Sequence, residues 1–121
     1  MEKSYLRHKD EAQFIGVYIR EAHPSDGWQM KANEVDGVVY KQPTTAEDRA
    51  KVAKDCRAGL KLAIPMVLDG PDDAVNKAYA GWPDRLYIVG QDGRIAYKGR
   101  PGPGGFSPRE MQQALDALLK Q

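Results

Sequence analysis

The 121-residue sequence contains a single cysteine, Cys56, which excludes a disulfide bond within the chain. The sequence also lacks a large excess of positive or negative residues, because it contains 18 lysines and arginines and 17 aspartates and glutamates. The net charge of +1 provides no long-range field toward nucleic acid or an anionic membrane. No apolar stretch approaches the roughly 20 residues that cross a bilayer, and no apolar signal segment follows Met1. We expect a cytoplasmic protein that binds neither nucleic acid nor membrane.

The sequence contains no pattern typical of a metal-binding or cofactor-binding site. Two histidines and one cysteine without ligand spacing do not make a zinc site. His8 stands alone in a charged segment and is expected to be solvated. Gly102, Gly104 and Gly105 do not belong to the strand-preceded Gly-x-x-x-x-Gly-Lys pattern that binds phosphate groups. We expect no metal and no bound cofactor.

Hydrophobic periodicity divides the chain into short helices and strands. Residues 13–19 are apolar on both alternating faces, which is typical of a strand inside a parallel sheet that helices cover on both sides. Asp92-Gly93 between two alternating runs is a strong hairpin signal. The predicted order is a helix at 2–10, a strand at 13–19, a helix starting near 44, a buried strand at 64–68, a helix at 74–79, a hairpin at 85–89 and 94–98, and a helix starting at 107. This order predicts an α/β fold in one domain, residues 1–121.

Two of the predicted helices carry capping signals at their starts. Residues 44–47 read as a capping box, and Ser107 is followed by Pro108 and Glu110. The first of these helices has a stripe of small and apolar side chains, formed by Ala46, Ala50, Ala53, Cys56 and Leu60. We therefore expect Cys56 to be a small buried residue rather than a reactive thiol. The stripe of the last helix is Met111, Ala114, Leu115 and Leu118.

Three segments carry a resemblance to a known family. The most specific is residues 17–28, Val-Tyr-Ile-Arg-Glu-Ala-His-Pro-Ser-Asp-Gly-Trp. The second comprises residues 84–89 and 93–99, and the third is the glycine-rich stretch at 102–108. On these segments the sequence resembles the iodothyronine deiodinase family over about residues 12–121.

The resemblance implies a thioredoxin-like three-layer α/β/α sandwich that is incomplete at the N-terminus, without its first strand and the start of its first helix. Complete family members reductively remove iodine from an aromatic ring, with a thiol reductant as co-substrate. Their nucleophile, a selenocysteine or cysteine, lies on the first strand-to-helix turn, upstream of the matched part. Cys56 does not occupy that position, so we expect this short form to be inactive alone. The same fold analogy suggests a cis peptide at Trp82-Pro83.

Glu21 and His23 are the candidate catalytic residues. They lie just past the end of a predicted buried strand, where open α/β sheets place their ligands. In extended backbone they point the same way, and a carboxylate beside an imidazole holds its tautomer for acid–base work. The resemblance places the matching pair in the family's active-site cleft. The alternative is a pair that organises the loop through hydrogen bonds to the backbone.

Arg85, Ser25 and Trp28 are the candidate substrate-binding residues. Arg85 matches a family position implicated in contacting an acidic or phenolic substrate group, and its alternative is a solvated arginine at a strand end. Ser25 is also compatible with a turn cap. Trp28 is suited to wall a cleft for an aromatic ligand, or simply to pack.

Two functions follow from these residues. The first is a deiodinase-like oxidoreductase domain acting on a small aromatic substrate. The second is a non-catalytic thioredoxin-like module for binding or assembly. Without the central strand, two apolar segments would present unpaired edges, so we expect either that strand 13–19 moves beside the hairpin or that a homodimer covers the edge.

Overall fold

A computed structural model describes residues 1–20 and 45–121. The helices are α1 (Glu2–His8), α2 (Ala46–Leu60), α3 (Ala74–Tyr79) and α4 (Pro108–Leu119). The strands are β1 (Gly16–Tyr18), β2 (Met66–Leu68), β3 (Tyr87–Val89) and β4 (Ile95–Lys98). The predicted order of elements and the α/β class are confirmed. The chain divides into two compact units, a middle unit of residues 15–80 and a terminal unit of residues 1–14 with 81–121.

The middle unit is built on a parallel pair of strands. β1 and β2 pair in the register Gly16↔Met66, Val17↔Val67 and Tyr18↔Leu68. Parallel neighbours need a crossover between them, and α2 lies in that connection and contacts β2. Ile64, Val52 and Ala53 form the buried apolar part of this unit.

The predicted burial of the two strands is wrong on one face of β1 and on both faces of β2, where Leu68, opposite in orientation to Val67, is 43% exposed. Ile15 is 55% exposed, Val17 40% and Val67 51%. Cross-strand neighbours share a face, and residues two apart on one strand do too, so these side chains form a single apolar face. A strand is buried on both faces only when layers cover both, and the described residues leave this face accessible. Strand 13–19 pairs with β2 rather than with the hairpin.

α2 begins one residue later than its sequence signal indicates. The N-cap is Thr45, whose Oγ1 accepts a hydrogen bond from the Asp48 amide at 3.1 Å. The buried face of α2 carries Arg49, Val52 and Ala53, while Ala46 is exposed. Cys56 is half-buried on this same face, so its predicted burial is only partial. The side chain of Leu60 lies outside the described part of the structure.

The terminal unit combines the β3–β4 hairpin with α1 and α4. The antiparallel register is Tyr87↔Lys98 and Ile88↔Tyr97, with an irregularity before Val89↔Ile95. Gly93 has a φ of 79°, the left-handed conformation that glycine adopts without strain. The Trp82-Pro83 and Gly102-Pro103 peptides are both cis.

α4 follows its sequence signals closely. Ser107 Oγ accepts a hydrogen bond from the Glu110 amide, with Pro108 at the first helical position. Met111 and Leu115 are 4% and 5% exposed and form the core of the terminal unit. Tyr5, on α1, meets Phe14 edge to face with ring centroids 5.6 Å apart.

The expectation that His8 is solvated is wrong. The residue is 4% exposed and lies against Glu11 and Asp116. Its burial depends on α4, which is far away in sequence. The charged composition of residues 2–10 therefore does not reveal it.

Candidate functional site

Of the five predicted site residues, the structure describes one. Glu21, His23, Ser25 and Trp28 lie outside the described residues, so their predicted roles are not tested. Arg85 lies in the terminal unit, two residues before β3. Its surroundings can therefore be compared with the role predicted for it.

Arg85 is half-buried, and its guanidinium is held by the hairpin. The Arg85 Nε donates a hydrogen bond to the Gly99 carbonyl oxygen at 2.8 Å. The Gly99 amide in turn donates to the Leu86 carbonyl at 2.8 Å. These bonds place the arginine at the end of the hairpin opposite the Gly93 turn. A guanidinium held in one orientation presents several N–H donors in a plane. It therefore suits a carboxylate or phenolate ligand better than the compact ammonium group of a lysine does.

The glycine-rich loop after β4 packs against the residue that precedes Arg85. The Gly102 amide donates to the Asp84 carbonyl at 3.0 Å. A Cβ on Gly102 would overlap the Asp84 carboxylate, so a larger residue at this position would require the exposed Asp84 side chain to move. The loop and the start of β3 thus form one local structure around Arg85.

A second polar cluster lies at the carboxyl edge of the β1–β2 sheet. The Asp69 amide donates to the Tyr18 carbonyl at 2.9 Å. Asp69 directly follows β2, and Arg20-Glu21 follows the end of β1 closely in sequence. Open α/β sheets bind their ligands at this edge. The contact holds the end of β1, from which the chain continues to Glu21 and His23.

Asp69 connects this edge to α3 through its carboxylate. Oδ1 accepts hydrogen bonds from the Gly70 and Val75 amides at 2.9 and 3.0 Å, and Oδ2 accepts one from the Asn76 amide at 2.8 Å. Burial alone would raise the pKa of the Asp69 carboxyl, but these three bonds and the charge of Arg49 outweigh it and lower the pKa below its ordinary value. Asp69 is therefore ionised at neutral pH and acts as an anchor rather than as a proton donor.

Arg49 extends the cluster to α2. The side chain is 3% exposed, and its Nη1 donates to the Gly70 carbonyl at 2.7 Å. Its Nη2 lies 3.0 Å from Asp73 Oδ1. A buried guanidinium needs such partners because an unpaired buried charge is costly. Arg49 thereby joins α2 to the connection between β2 and α3.

Sequence reasoning did not single out Arg49 or Asp69. Asp69 carries a usable signal, since an aspartate between a strand and a helix often accepts hydrogen bonds from the first amides of that helix. Arg49 lies at helical spacing from Val52, Ala53 and Cys56, the positions of the buried stripe. A charged residue on the buried stripe of a helix could be buried in an ion pair, but the sequence does not show which residue is its partner.

The match to known proteins extends well beyond the three segments that first suggested a family. The model of the family described as iodothyronine deiodinase matches residues 3–119. The chain belongs to the iodothyronine deiodinase family. The family resemblance of the sequence is thus confirmed.

Individual deiodinases give the same result. Type I iodothyronine deiodinase of Xenopus laevis is 37% identical over 105 residues, which is 87% of this chain and 39% of that protein. Thyroxine 5-deiodinase of Rattus norvegicus is 33% identical over 120 residues, covering 99% of this chain and 38% of that protein. Thyroxine 5-deiodinase of Sparus aurata is 38% identical over 116 residues, covering 91% of this chain and 39% of that protein. The chain spans about two fifths of the length of these relatives.

Cys56, the cysteine of this deiodinase-family chain, is half-buried. It lies well inside α2, on the face that carries Arg49 and Val52. The backbone amides that favour a thiolate are those at a helix N-terminus. Within residues 1–20 and 45–121, no group of three or more His, Cys, Asp or Glu could hold a metal ion. Of the described helices, none is long and apolar enough to cross a membrane.

Proposed function

We propose that the chain is a deiodinase-type oxidoreductase domain with a thioredoxin-like three-layer α/β/α arrangement, and that its substrate is a small iodinated aromatic molecule. Family membership over residues 3–119 carries this proposal. The order of a parallel strand pair, a crossover helix, an antiparallel hairpin and a closing helix supports the fold. The thiol reductant of the reaction would be a co-substrate rather than a bound cofactor.

The acid–base pair of the proposed site is Glu21 and His23. Both follow the end of β1, which the Asp69 amide holds through the Tyr18 carbonyl. A carboxylate beside the imidazole would select one tautomer and favour its protonated form. The imidazole could then move a proton to or from a phenolic substrate. We expect Ser25 and Trp28 to contact the same substrate.

Arg85 is the proposed anchor for the acidic or phenolic group of the substrate. The bond from its Nε to Gly99 orients the guanidinium before the substrate binds. Such pre-organisation reduces the ordering cost of binding. The role can be tested without catalysis, because ligand binding does not require a nucleophile.

The binding experiment uses 3,5-diiodotyrosine as the probe, followed by chemical-shift changes of backbone amides. We expect Arg85→Ala to weaken binding about tenfold, the typical effect of one charge-assisted hydrogen bond. Arg94→Ala is the matched control, since Arg94 is an exposed arginine on the same hairpin, and it should leave the affinity unchanged. Equal affinities for wild type and Arg85→Ala would contradict the anchor. Absence of binding would favour the non-catalytic module.

We further propose that the nucleophile is not among these 121 residues and that the polypeptide alone does not deiodinate. Its one cysteine is Cys56, and that residue lies inside α2. The purified chain would be incubated with diiodotyrosine and excess dithiol while iodide release is measured. Release at the level of the protein-free control is the expected result. Turnover that disappears in Cys56→Ser would show that the proposal is wrong.

A homodimer or larger assembly is also proposed. The face formed by Ile15, Val17 and Val67 is accessible, and β1 pairs only with β2 among the described residues. A second copy covering this face would bury apolar surface that water now contacts.

A further inference from the structure

Gly99 is a buried glycine directly after β4, and both of its backbone polar groups bind the opposite side of the hairpin. Its amide donates to the Leu86 carbonyl at 2.8 Å, and its carbonyl accepts the bond from Arg85 Nε at 2.8 Å. Unlike Gly93, Gly99 does not have the positive φ that favours glycine. The reason for a glycine at this position is therefore space rather than backbone conformation.

The space beside Gly99 is filled by Tyr97, two residues earlier in the chain. A Cβ at Gly99 would lie 3.4 Å from Tyr97 Oη and 3.5 Å from Tyr97 Cε1, so the phenol packs where a side chain would stand. The same Cβ would lie 3.1 Å from the Leu86 carbonyl oxygen, which is tighter than most real Cβ contacts. Aromatic side chains compensate for glycines in sheets by covering them in this way.

The Tyr97 phenol is kept at this place by packing rather than by a hydrogen bond. Its hydroxyl is buried and has no hydrogen-bond partner within residues 1–20 and 45–121. A buried hydroxyl without a partner lowers stability, so the hydroxyl does not explain the position of the ring. The ring covers Gly99, whose carbonyl in turn accepts Arg85 Nε. A continuous series of contacts therefore runs from Tyr97 through Gly99 to Arg85.

We propose that Tyr97 is a positioning residue for Arg85 and that it acts through the Gly99 carbonyl. The inference rests on the proposed function, in which Arg85 anchors the acidic or phenolic group of the substrate. The ring restricts the movement of Gly99, and the Gly99 carbonyl then fixes the direction of the Arg85 Nε–H group. Without the ring, the guanidinium loses this fixed orientation, and substrate binding must include the cost of ordering it.

The orientation of Arg85 is measured without any ligand, from the hydrogen exchange of its Nε–H group followed by NMR. The signal is assigned by its disappearance in Arg85→Lys. Tyr97→Ala should speed this exchange about fivefold, the effect of weakening one hydrogen bond. Tyr97→Phe keeps the ring and removes only the unpartnered hydroxyl, so it should leave the exchange rate unchanged.

Gly99→Ala tests the same contacts from the other side and replaces Tyr97→Ala if that variant does not fold. Its Cβ would displace the Leu86 carbonyl or Gly99 itself, and we expect the Arg85 Nε–H exchange to accelerate about fivefold. Gly104→Ala is the matched control, since a Cβ at this glycine of the following loop meets nothing within 4 Å. It should leave the exchange rate unchanged.

Binding of 3,5-diiodotyrosine then separates positioning from a general structural role. Tyr97→Ala should weaken binding about fivefold when Arg85 is present. It should have no further effect in the Arg85→Ala chain, because the loss passes through Arg85. Failure of the wild-type chain to bind the probe would contradict the proposed function alone, because the exchange measurement decides the positioning without a ligand.

Two results would overturn the inference. One is an Arg85 Nε–H exchange rate that is the same in wild type, Tyr97→Ala and Gly99→Ala. The other is an equal loss of binding from Tyr97→Ala with and without the Arg85 side chain.

Discussion

Asp69 holds together the point where β2 ends and α3 begins. Its backbone amide binds Tyr18, and its carboxylate accepts hydrogen bonds from the Gly70, Val75 and Asn76 amides. Such bonds to a charged acceptor are stronger than neutral ones. The backbone amide and the carboxylate of one buried residue thus connect both strands of the parallel sheet to the following helix.

Replacing Asp69 should produce a pH-dependent loss of stability. The pKa of Asp69 lies below its ordinary 3.8 in the folded state, so its contribution is fully present above that value and is lost as pH falls through the folded-state pKa. Asp69→Asn should lower the free energy of unfolding by about 2–3 kcal/mol at pH 7. The loss should shrink as the pH falls below about 4.

Urea unfolding at pH 7 and at pH 3 measures both effects. Asp72→Asn is the control, since Asp72 is an exposed aspartate of the same connection. A similar change in unfolding free energy for both variants would show that general acidity of the loop, rather than the bonds of Asp69, sets its stability.

At the scale of elements, local sequence signals work best where the chain needs no distant partner. Ser107 caps α4 as its sequence pattern predicts, and Gly93 adopts the positive φ that an Asp-Gly turn requires. The predicted strand 13–19 is reduced to Gly16–Tyr18, with one face accessible. Apolar character on both faces indicates that a strand can be buried, but the layers that would bury it are set by tertiary structure.

The cap of α4 should have a measurable effect. Ser107→Ala removes the oxygen that accepts the Glu110 amide and should lower the free energy of unfolding by about 1 kcal/mol. Ser107→Asn retains an N-cap acceptor and should stay within a few tenths of a kcal/mol of wild type. Thermal unfolding followed by circular dichroism distinguishes them. Equal melting temperatures for the two variants would contradict a capping role.

For the whole molecule, the accessible apolar face is the feature with the largest expected consequence. Ile15, Val17 and Val67 lie on one side of a two-stranded sheet. Exposed apolar sheet surfaces favour association unless charges or a covering layer protect them. This face motivates the proposed homodimer.

Sedimentation at micromolar concentration tests the assembly. We expect a dimer or larger species, and Val67→Lys should weaken it at least about tenfold because a charge would replace buried apolar surface. Val89→Lys is the control, since Val89 is similarly exposed but lies on the hairpin. A monodisperse monomer that unfolds cooperatively would exclude assembly.

The sequence by itself determined the family, the α/β class, the order of elements, the hairpin turn at Gly93 and the cap at Ser107. These features depend on residues close together along the chain or on a pattern of residue types. The tertiary structure decided that His8, Arg49 and Asp69 are buried. Each needs partners on another element, and a charged side chain is buried only where such partners offset its desolvation. The residue composition of one segment does not show which residues of another element will be these partners.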